Sequence, residues 1–458
     1  MSGGSEMKIT DENIVLIVMD TLSAFNTPMH GYKRDTTPFL KEFSERNTLV
    51  NYGYSNAPWT APSHASLFSG KLPSEHGTST HSYHFGDESF VEELNEKDYR
   101  TIGVSENPLI SEELGFDKGF DKLVSDKQKI IFRNQAGERL AGTIESLIDT
   151  GSEKTALKKY KSVLNEVLVN QKNLKGGLKG AKYIAKKKIK GGFIGAEQTT
   201  QLAKKYVSKI EEDSFFLFIN YMSPHAPYQP PEETLGTWCD DPEEMKEFAY
   251  DFHHEEKTNW WKEYPEDVVD NMRALYDEEI LFMDRKIEEL VNFIQEEKED
   301  TIFIIVSDHG ENINHYGMRG HNCGIWERLI RVPIIIGGDG IGDDVLDEKV
   351  SLKDLKSFIN GKKNLSEITR EAVRAEYKGA RGILDHHNKP LDYTEEQMEY
   401  INNRSNTLII NNKGITRNTK LADVGFIERA KGFSEENKLS EVEDIKEEIK
   451  EPFDLYLD

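Results

Sequence analysis

The sequence predicts an α/β protein: a doubly wound, mostly parallel sheet with helices on both faces, followed by a smaller C-terminal α+β subdomain. Three observations carry that expectation. Continuous apolar runs end in polar or acidic residues, as in Asn13-Ile-Val-Leu-Ile-Val-Met-Asp20, the pattern of a strand buried on both faces. The runs alternate with stretches of helical periodicity, the order expected when crossover helices join parallel strands. The polar residues that follow three of the runs would then meet beyond the carboxyl ends of the strands, where open α/β sheets hold their ligands.

The elements follow in order. After the first strand, Asn56-Ala-Pro-Trp-Thr60-Ala-Pro62-Ser63-His64 reads as a loop entering a short helix; Pro62 suits the first turn and Gly70 stops it. Thr101 to Asn107 is a second strand. Residues 125–210 break the rhythm with Lys-rich, weakly amphipathic helix and the glycine pairs Gly176-Gly177 and Gly191-Gly192, and read as an insertion or lid. Ser214 to Asn220 and Thr301 to Asp308 repeat the first strand's pattern, and Val332 to Gly337 resembles it. Between them Val269, Met272, Leu275, Tyr276, Ile280, Met283, Ile287, Leu290 and Ile294 recur at spacings of three and four, predicting a helix over Glu266 to Glu297. Beyond, Val350 to Ile359 reads as a helix, Thr407 to Asn411 and Gly414 to Arg417 as short antiparallel strands, and Leu439 to Glu451 as a solvated acidic helix. The expected division is a main α/β domain over 1–350, carrying the insertion at about 125–210, and a smaller subdomain over 351–458.

Composition narrows the function. Only two cysteines, Cys239 and Cys323, rule out a disulfide framework and a Cys-rich metal site. No apolar run approaches the ~20 residues that span a bilayer, so no transmembrane helix is expected. The first residues lack the basic and then apolar stretch of a secretory leader, so a cytoplasmic location is expected. A formal charge of −24 opposes association with nucleic acid. That charge is segregated: residues 151–210 hold 15 Lys against three Glu, a net +12, leaving −36 elsewhere. The basic stretch is either a solvated face paired with the chain's own acids or a peripheral contact for an anionic membrane surface.

Thr60 stands where a helix begins. There it is either an ordinary cap or a hydroxyl set among unpaired N–H groups at the positive end of the helix dipole, which favours an anionic nucleophile or substrate. Ser307-Asp308-His309-Gly310-Glu311 is more specific, because Asp308 and His309 on a turn after a buried strand both reach one metal ion, and Asp20 supplies a second carboxylate. Two carboxylates, an imidazole and a hydroxyl suit one divalent ion, Ca, Mn, Mg or Zn, rather than a soft metal.

Taken together these residues resemble the sulfatase family of the alkaline phosphatase superfamily over about residues 13–340. The resemblance rests on Val18-Met-Asp20-Thr21, Thr37-Pro38, Thr60-Ala-Pro62-Ser63-His64 with Ser66 to Gly70, Asn220 to Tyr228 containing His225, Leu275-Tyr276-Asp-Glu-Glu279 followed by Asp284, Ser307 to Glu311, Gly320-His321, and Glu327-Arg328 to Pro333. It implies that Asp20, Thr60, Asp308 and His309 hold the metal. It further implies that Thr60 is the nucleophile and that His225 and His321 contact the transferred or leaving group. Thr21, His64 and Asn107 are expected at the substrate.

The departures shape the expected chemistry. Sulfatases that this chain resembles carry a cysteine or serine, converted to formylglycine, in a Cys-x-Pro-Ser-Arg pattern; here Thr60 and His64 stand in the first and last positions. Threonine cannot yield that aldehyde by the same chemistry. A formylglycine hydrate expels sulfate by breaking its own C–O bond, whereas a Thr60 ester must be broken at phosphorus or sulfur. The Gly-Lys-Trp-His-Leu-Gly segment of many arylsulfatases is replaced by Gly103 to Pro108. Relatives with a threonine nucleophile and two zinc ions carry an extra Asp and His four residues apart, where this chain has Asn220 and His225, so a single ion is expected. The resemblance therefore implies a metal-dependent hydrolase of sulfate or phosphate esters, tilted toward phosphate mono- or diesters, acting on a small anionic ester or a glycan- or lipid-linked substrate. Two alternatives stand beside it: a phospho-group transferase acting on cell-surface glycan or lipid, and a degenerate binding protein. Retention of Asp20, Thr60, Asp308 and His309 together argues against the last.

Overall fold

The computed structural model describes residues 8–125, 195–377 and two strands within 406–418, apart from short stretches at 80–81, 213, parts of 243–263, 316–317 and 322–324. Most of the expected insertion and the acidic helix of 439–451 lie outside the described residues.

The strands are β1 (Asn13–Met19), β2 (Thr48–Tyr54), β3 (Arg100–Ser105), β4 (Lys122–Ser125), β5 (Phe215–Tyr221), β6 (Thr301–Ser307), β7 (Ile313–His315), β8 (Met318–Arg319), β9 (Ile334–Gly338), β10 (Val345–Ser351), β11 (Thr369–Arg370), β12 (Val373–Tyr377), β13 (Asn406–Asn411) and β14 (Gly414–Asn418). The helices are α1 (Pro38–Glu45), α2 (Thr60–Ser69), α3 (Pro73–His76), α4 (Phe90–Asn95), α5 (Ala196–Val207), α6 (Glu266–Glu297), α7 (Glu327–Ile330) and α8 (Leu355–Ile359). Nine strands form one sheet in the order β11-β10-β2-β9-β6-β1-β5-β3-β4. The pairs β6/β1, β1/β5, β5/β3, β3/β4 and β10/β2 are parallel. The sheet is thus α/β and mostly parallel, with one internal exception: β9 runs antiparallel to both β2 and β6.

The apolar runs place the core. In β1 the alternation of side chains sends Val15, Ile17 and Met19 to one face and Ile14, Leu16 and Val18 to the other. β5 splits likewise, with Phe215, Leu217 and Ile219 on the first face and Phe216 and Phe218 on the second; in β6 Phe303 and Ile305 oppose Ile302, Ile304 and Val306. The first face is covered by α1, α5 and α6, and the second by α2, α4 and α8. Helix α6, roughly 48 Å long at 1.5 Å per residue, buries Val269, Met272, Leu275, Tyr276, Ile280, Met283, Ile287, Leu290 and Ile294, the stripe that its spacing predicts.

The main sheet does not stop at residue 350. β10 runs to Ser351, a 3-10 turn over Leu352–Asp354 and α8 follow, and β11 pairs with β10 at the sheet edge. Leu352, Leu355, Phe358, Ile359, Leu365 and Ile368 all enter the second core cluster. The helix expected over Val350 to Ile359 is therefore a strand end, a turn and five helical residues. A separate antiparallel sheet begins at Val373, in the order β12-β13-β14, and contains the two short strands expected after residue 406. Of the lysines in the basic stretch, Lys204 on α5 is described with an acid partner, Glu289 of α6, at 2.7 Å. Among the described residues no helix is long and apolar enough to cross a membrane.

Candidate active site

The site begins with strand register. β1 and β6 are hydrogen-bonded neighbours with Met19 opposite Ser307, so the residues that follow, Asp20 and Asp308, leave the sheet side by side. The Asp308 N–H donates to the Met19 carbonyl at 3.3 Å, and the Asp20 N–H to Tyr221 at 3.0 Å. His309 completes the strand-end group, and ligand atoms of Asp20, Asp308 and His309 all lie within 4.8 Å of one another. All three are fully buried. Gly310 lets this turn pass close to α7: a Cβ there would stand 2.1 Å from the Arg328 carbonyl oxygen.

Helix α2 brings the hydroxyl. Trp59, not Thr60, occupies its cap position, and Gly70 ends it with φ 75°. Thr60 Oγ1 lies 3.3 Å from His309 Nε2 and 3.5 Å from Asn107 Nδ2, which also donates to Asp20 Oδ2. His309 Nδ1 is 2.9 Å from the Gly310 carbonyl oxygen, which only accepts; Nδ1 carries the hydrogen and Nε2 turns its lone pair to Thr60, Asp20 and Asp308. Ser307 and Ser63 hold the turn: Ser307 Oγ accepts from the Leu22 N–H and donates to the His309 carbonyl, and Ser63 Oγ donates to the Asp308 carbonyl at 2.6 Å.

The electrostatics of this group call for a cation. Burial pushes the Asp308 carboxyl up to about 8, against the opposing N–H groups of Thr21 and His309. Its Oδ2 is buried and has no hydrogen-bond partner. Burial lowers His309, opposed by the charge of Asp20. Two carboxylates crowded beside an imidazole lone pair and a hydroxyl match the donor set of a hard or borderline divalent ion.

Two further imidazoles continue outward. The ring of His321 lies 4.6 Å from that of His309, and the ring of His225 lies 5.0 Å from that of His321, centroid to centroid. His321 Nδ1 sits 3.0 Å from Glu311 Oε2, and His225 Nδ1 is 2.6 Å from the Ala226 carbonyl oxygen. His225 is partly exposed, whereas His309 and His321 are enclosed.

The sulfatase family's sequence profile matches residues 12–359, about three quarters of the chain. The chain belongs to the sulfatase family. Among curated proteins, the uncharacterized sulfatase YidJ of Escherichia coli (strain K12) is 28% identical over 137 residues; the match spans 27% of this chain and 27% of YidJ. Among solved structures, the phosphonate monoester hydrolase of Silicibacter pomeroyi superposes with a TM-score of 0.59 at 14% identity, covering 89% of this chain and 87% of its own. The phosphonate monoester hydrolase of Agrobacterium radiobacter gives 0.58 at 12% identity, covering 95% and 96%. A protein solved with its substrate D-glucosamine-2-N,6-O-disulfate gives 0.59 at 15% identity, covering 96% and 95%. At these identities the structures show a shared fold.

Within this sulfatase-family site, Asp20, Thr60, Asn107, Asp308 and His309 meet, with His321 and His225 beside them. His64 stands behind Thr60 rather than beside it: its Nδ1 is 3.0 Å from the Thr60 carbonyl oxygen and 3.5 Å from Asp308 Oδ2, and the Phe68 and Phe218 rings meet it edge-on. Burial pushes it down to about 3, so it is neutral. Thr21, also fully buried, takes a left-handed φ of 65°, gives its N–H to Asp308 Oδ1 and accepts the Tyr276 hydroxyl at its carbonyl. The acids with no assigned part in the sequence reading are Glu311, which orients His321, and Asp277, Glu278, Glu279 and Asp284 on α6. Their signal is an interruption: acids inside the apolar stripe of a long helix, and an acid two residues after His309.

Proposed function

We propose that this chain is a metal-dependent hydrolase of phosphate mono- or diesters in which Thr60 Oγ1 is the nucleophile. The observation that carries the reading is the placement of Thr60 Oγ1, at the first residue of α2, 3.3 Å from the lone-pair nitrogen of His309 and next to two buried carboxylates. Asp20, Thr60, Asp308 and His309 would hold one divalent ion, whose chemistry is to lower the hydroxyl's pKa and to offset charge on a non-bridging substrate oxygen. The chain's own groups do the rest. The N–H groups opening α2 face the developing negative charge. Asn107 fixes Asp20 against Thr60. His321, held by Glu311, offers Nε2 to the transferred group, and His225, its Nδ1 anchored on Ala226, offers Nε2 to the leaving oxygen.

Threonine favours phosphorus over sulfur. Attack by Thr60 Oγ1 on phosphorus forms a phosphothreonine as the P–O bond to the leaving alcohol breaks, and water then attacks phosphorus, returning the hydroxyl and releasing the phosphate product. The test is a matched panel of aryl phosphate monoesters, aryl phosphodiesters and aryl sulfates, with the metal-loaded wild type and Thr60→Ala. The expected result is faster turnover of a phosphate ester than of the sulfate, a loss of at least ~1,000-fold in Thr60→Ala, and mass spectrometry of acid-quenched enzyme showing phosphate on Thr60. A variant that keeps most of its activity would overturn the covalent route, and added alcohol capturing the group faster than water would make the chain a transferase.

A further inference from the structure

Helix α6 buries four acids within eight residues, an arrangement its apolar packing does not need, since each buried carboxylate loses hydration. Each is occupied by a different loop. Asp277 accepts from Asn26, Tyr32 and Arg34 in the segment after β1. Glu278 accepts the N–H groups of Gly236, Trp238 and Cys239. Asp284 accepts those of Phe39 and Leu40 at the start of α1.

Glu279 holds the loop of His225. Its Oε2 accepts the Ser223 hydroxyl and its Oε1 the Gln229 N–H, both at 2.7 Å, so one carboxylate closes the base of the loop on either side of the histidine. Inside that closed base the His225 N–H donates to Met222 at 2.9 Å, and the ring is tied to Ala226 and packed against His321. Ordering the loop in advance removes conformational freedom that the reaction would otherwise have to restrict, and a displacement of about 1 Å at a proton donor costs on the order of 100-fold in rate.

We propose that Glu279 is a positioning residue for proton delivery to the leaving group: by bridging Ser223 and Gln229 it sets where His225 stands relative to the scissile ester. This rests on the reading of His225 as the group that meets the leaving oxygen. Both Glu279 oxygens are engaged by Ser223 and Gln229, so it acts through His225. Its signature is dependence on the leaving alcohol, because a good leaving group departs without a proton and a poor one does not.

The experiment compares kcat and KM on p-nitrophenyl, phenyl and benzyl phosphate for wild type, His225→Ala, Glu279→Gln, Ser223→Ala and the double variant His225→Ala/Glu279→Gln. Glutamine keeps the shape but turns an N–H toward one of the two donors; Ser223→Ala removes one bond with the carboxylate intact and serves should Glu279→Gln fold poorly. The expected result is a kcat loss of about 10- to 100-fold on benzyl phosphate for Glu279→Gln, less than about threefold on p-nitrophenyl phosphate, little change in KM, and a smaller loss of the same pattern for Ser223→Ala. The double variant should be no slower than His225→Ala. If His225→Ala slows all three esters equally, the reading of His225 fails and this inference with it. If His225→Ala depends on the leaving group while the Glu279 and Ser223 variants lose rate uniformly, or the double variant multiplies the two losses, the inference about Glu279 alone is overturned.

Discussion

The acids at the ends of β1 and β6 and the acids of α6 are buried to the same degree, yet their oxygens end differently. Asp308 keeps one oxygen without a hydrogen-bond partner and faces Asp20 across the lone pair of His309. Asp277 has three donors, Glu278 three, and Glu279 and Asp284 two each. Burial alone therefore does not mark a functional carboxylate. What separates the groups is whether both oxygens find donors within the protein: Asp308 has donors on Oδ1 alone, while each helix acid has both oxygens engaged in holding a neighbouring segment.

The sharpest way to break this distinction is to neutralise one acid from each set. Asp308→Asn should lower divalent-metal affinity by at least about 100-fold and reduce turnover correspondingly, with the melting temperature of the metal-free protein little changed near neutral pH, where burial holds the Asp308 carboxyl up at about 8 and it is as uncharged as the amide. Isothermal titration and thermal melts read the two effects separately. Asp277→Ala should do the reverse. It strands Asn26, Tyr32 and Arg34, so denaturant unfolding should show a loss of about 2–3 kcal/mol, while metal affinity in the protein that remains folded is preserved. If Asp277→Ala lost metal affinity as severely as Asp308→Asn, the two sets would not be separate.

Acidity distinguishes them next. Burial holds the Asp308 carboxyl up at about 8, so binding an ion must displace a proton below that value. Metal affinity should rise with pH toward about 8, by up to roughly tenfold per unit, and then level. Asp284 gives the smallest effect, and on stability instead of metal. Burial raises it to about 7, the Leu40 and Phe39 N–H groups opposing and the Glu288 and Asp35 charges adding. The folded value lies above the unfolded one, so the favourable contribution is complete below pH ~4 and is lost as pH rises through about 7. Melts from pH 4 to 8 should show that decline in the wild type and a flatter profile in Asp284→Asn, which also gives up about 1 kcal/mol of support for the start of α1.

Much of the frame is legible in the sequence. β1, β5 and β6 stand out because strands buried on both faces need apolar side chains at every position, and α6 because one buried stripe imposes a spacing of three and four. The meeting of Asp20, Asp308 and His309 is legible from their combination, since a single strand-end Asp is more often a cap or turn residue. The direction of β9 is not: Ile334, Ile335 and Ile336 are equally apolar whichever way the strand runs. β10 escapes notice because its first half lies exposed at Val345, Asp347 and Glu348, and only Lys349 to Ser351 are buried. His64 is expected at the substrate because it stands at the Arg position of the family pattern; in the structure it lies one helical turn after Thr60, its Nδ1 at the Thr60 carbonyl and its ring against Phe68 and Phe218. The partners of the α6 acids depend on which loops pass the helix, a fact no local pattern encodes.

The choice of those partners bears on how such a protein changes over generations. Glu278 and Asp284 grip main-chain N–H groups alone, and Glu279 grips one at Gln229. Any residue except proline offers the same donor. The loops fastened to α6 are thus free to exchange their side chains while their backbones stay pinned. Mutation can change what those segments present without disturbing the strand ends that carry Asp20 and Asp308. Loss of one helix acid has the opposite character, since it releases a whole loop at once. Variation should therefore accumulate in the segments between the anchors and be scarce at Asp277, Glu278, Glu279 and Asp284.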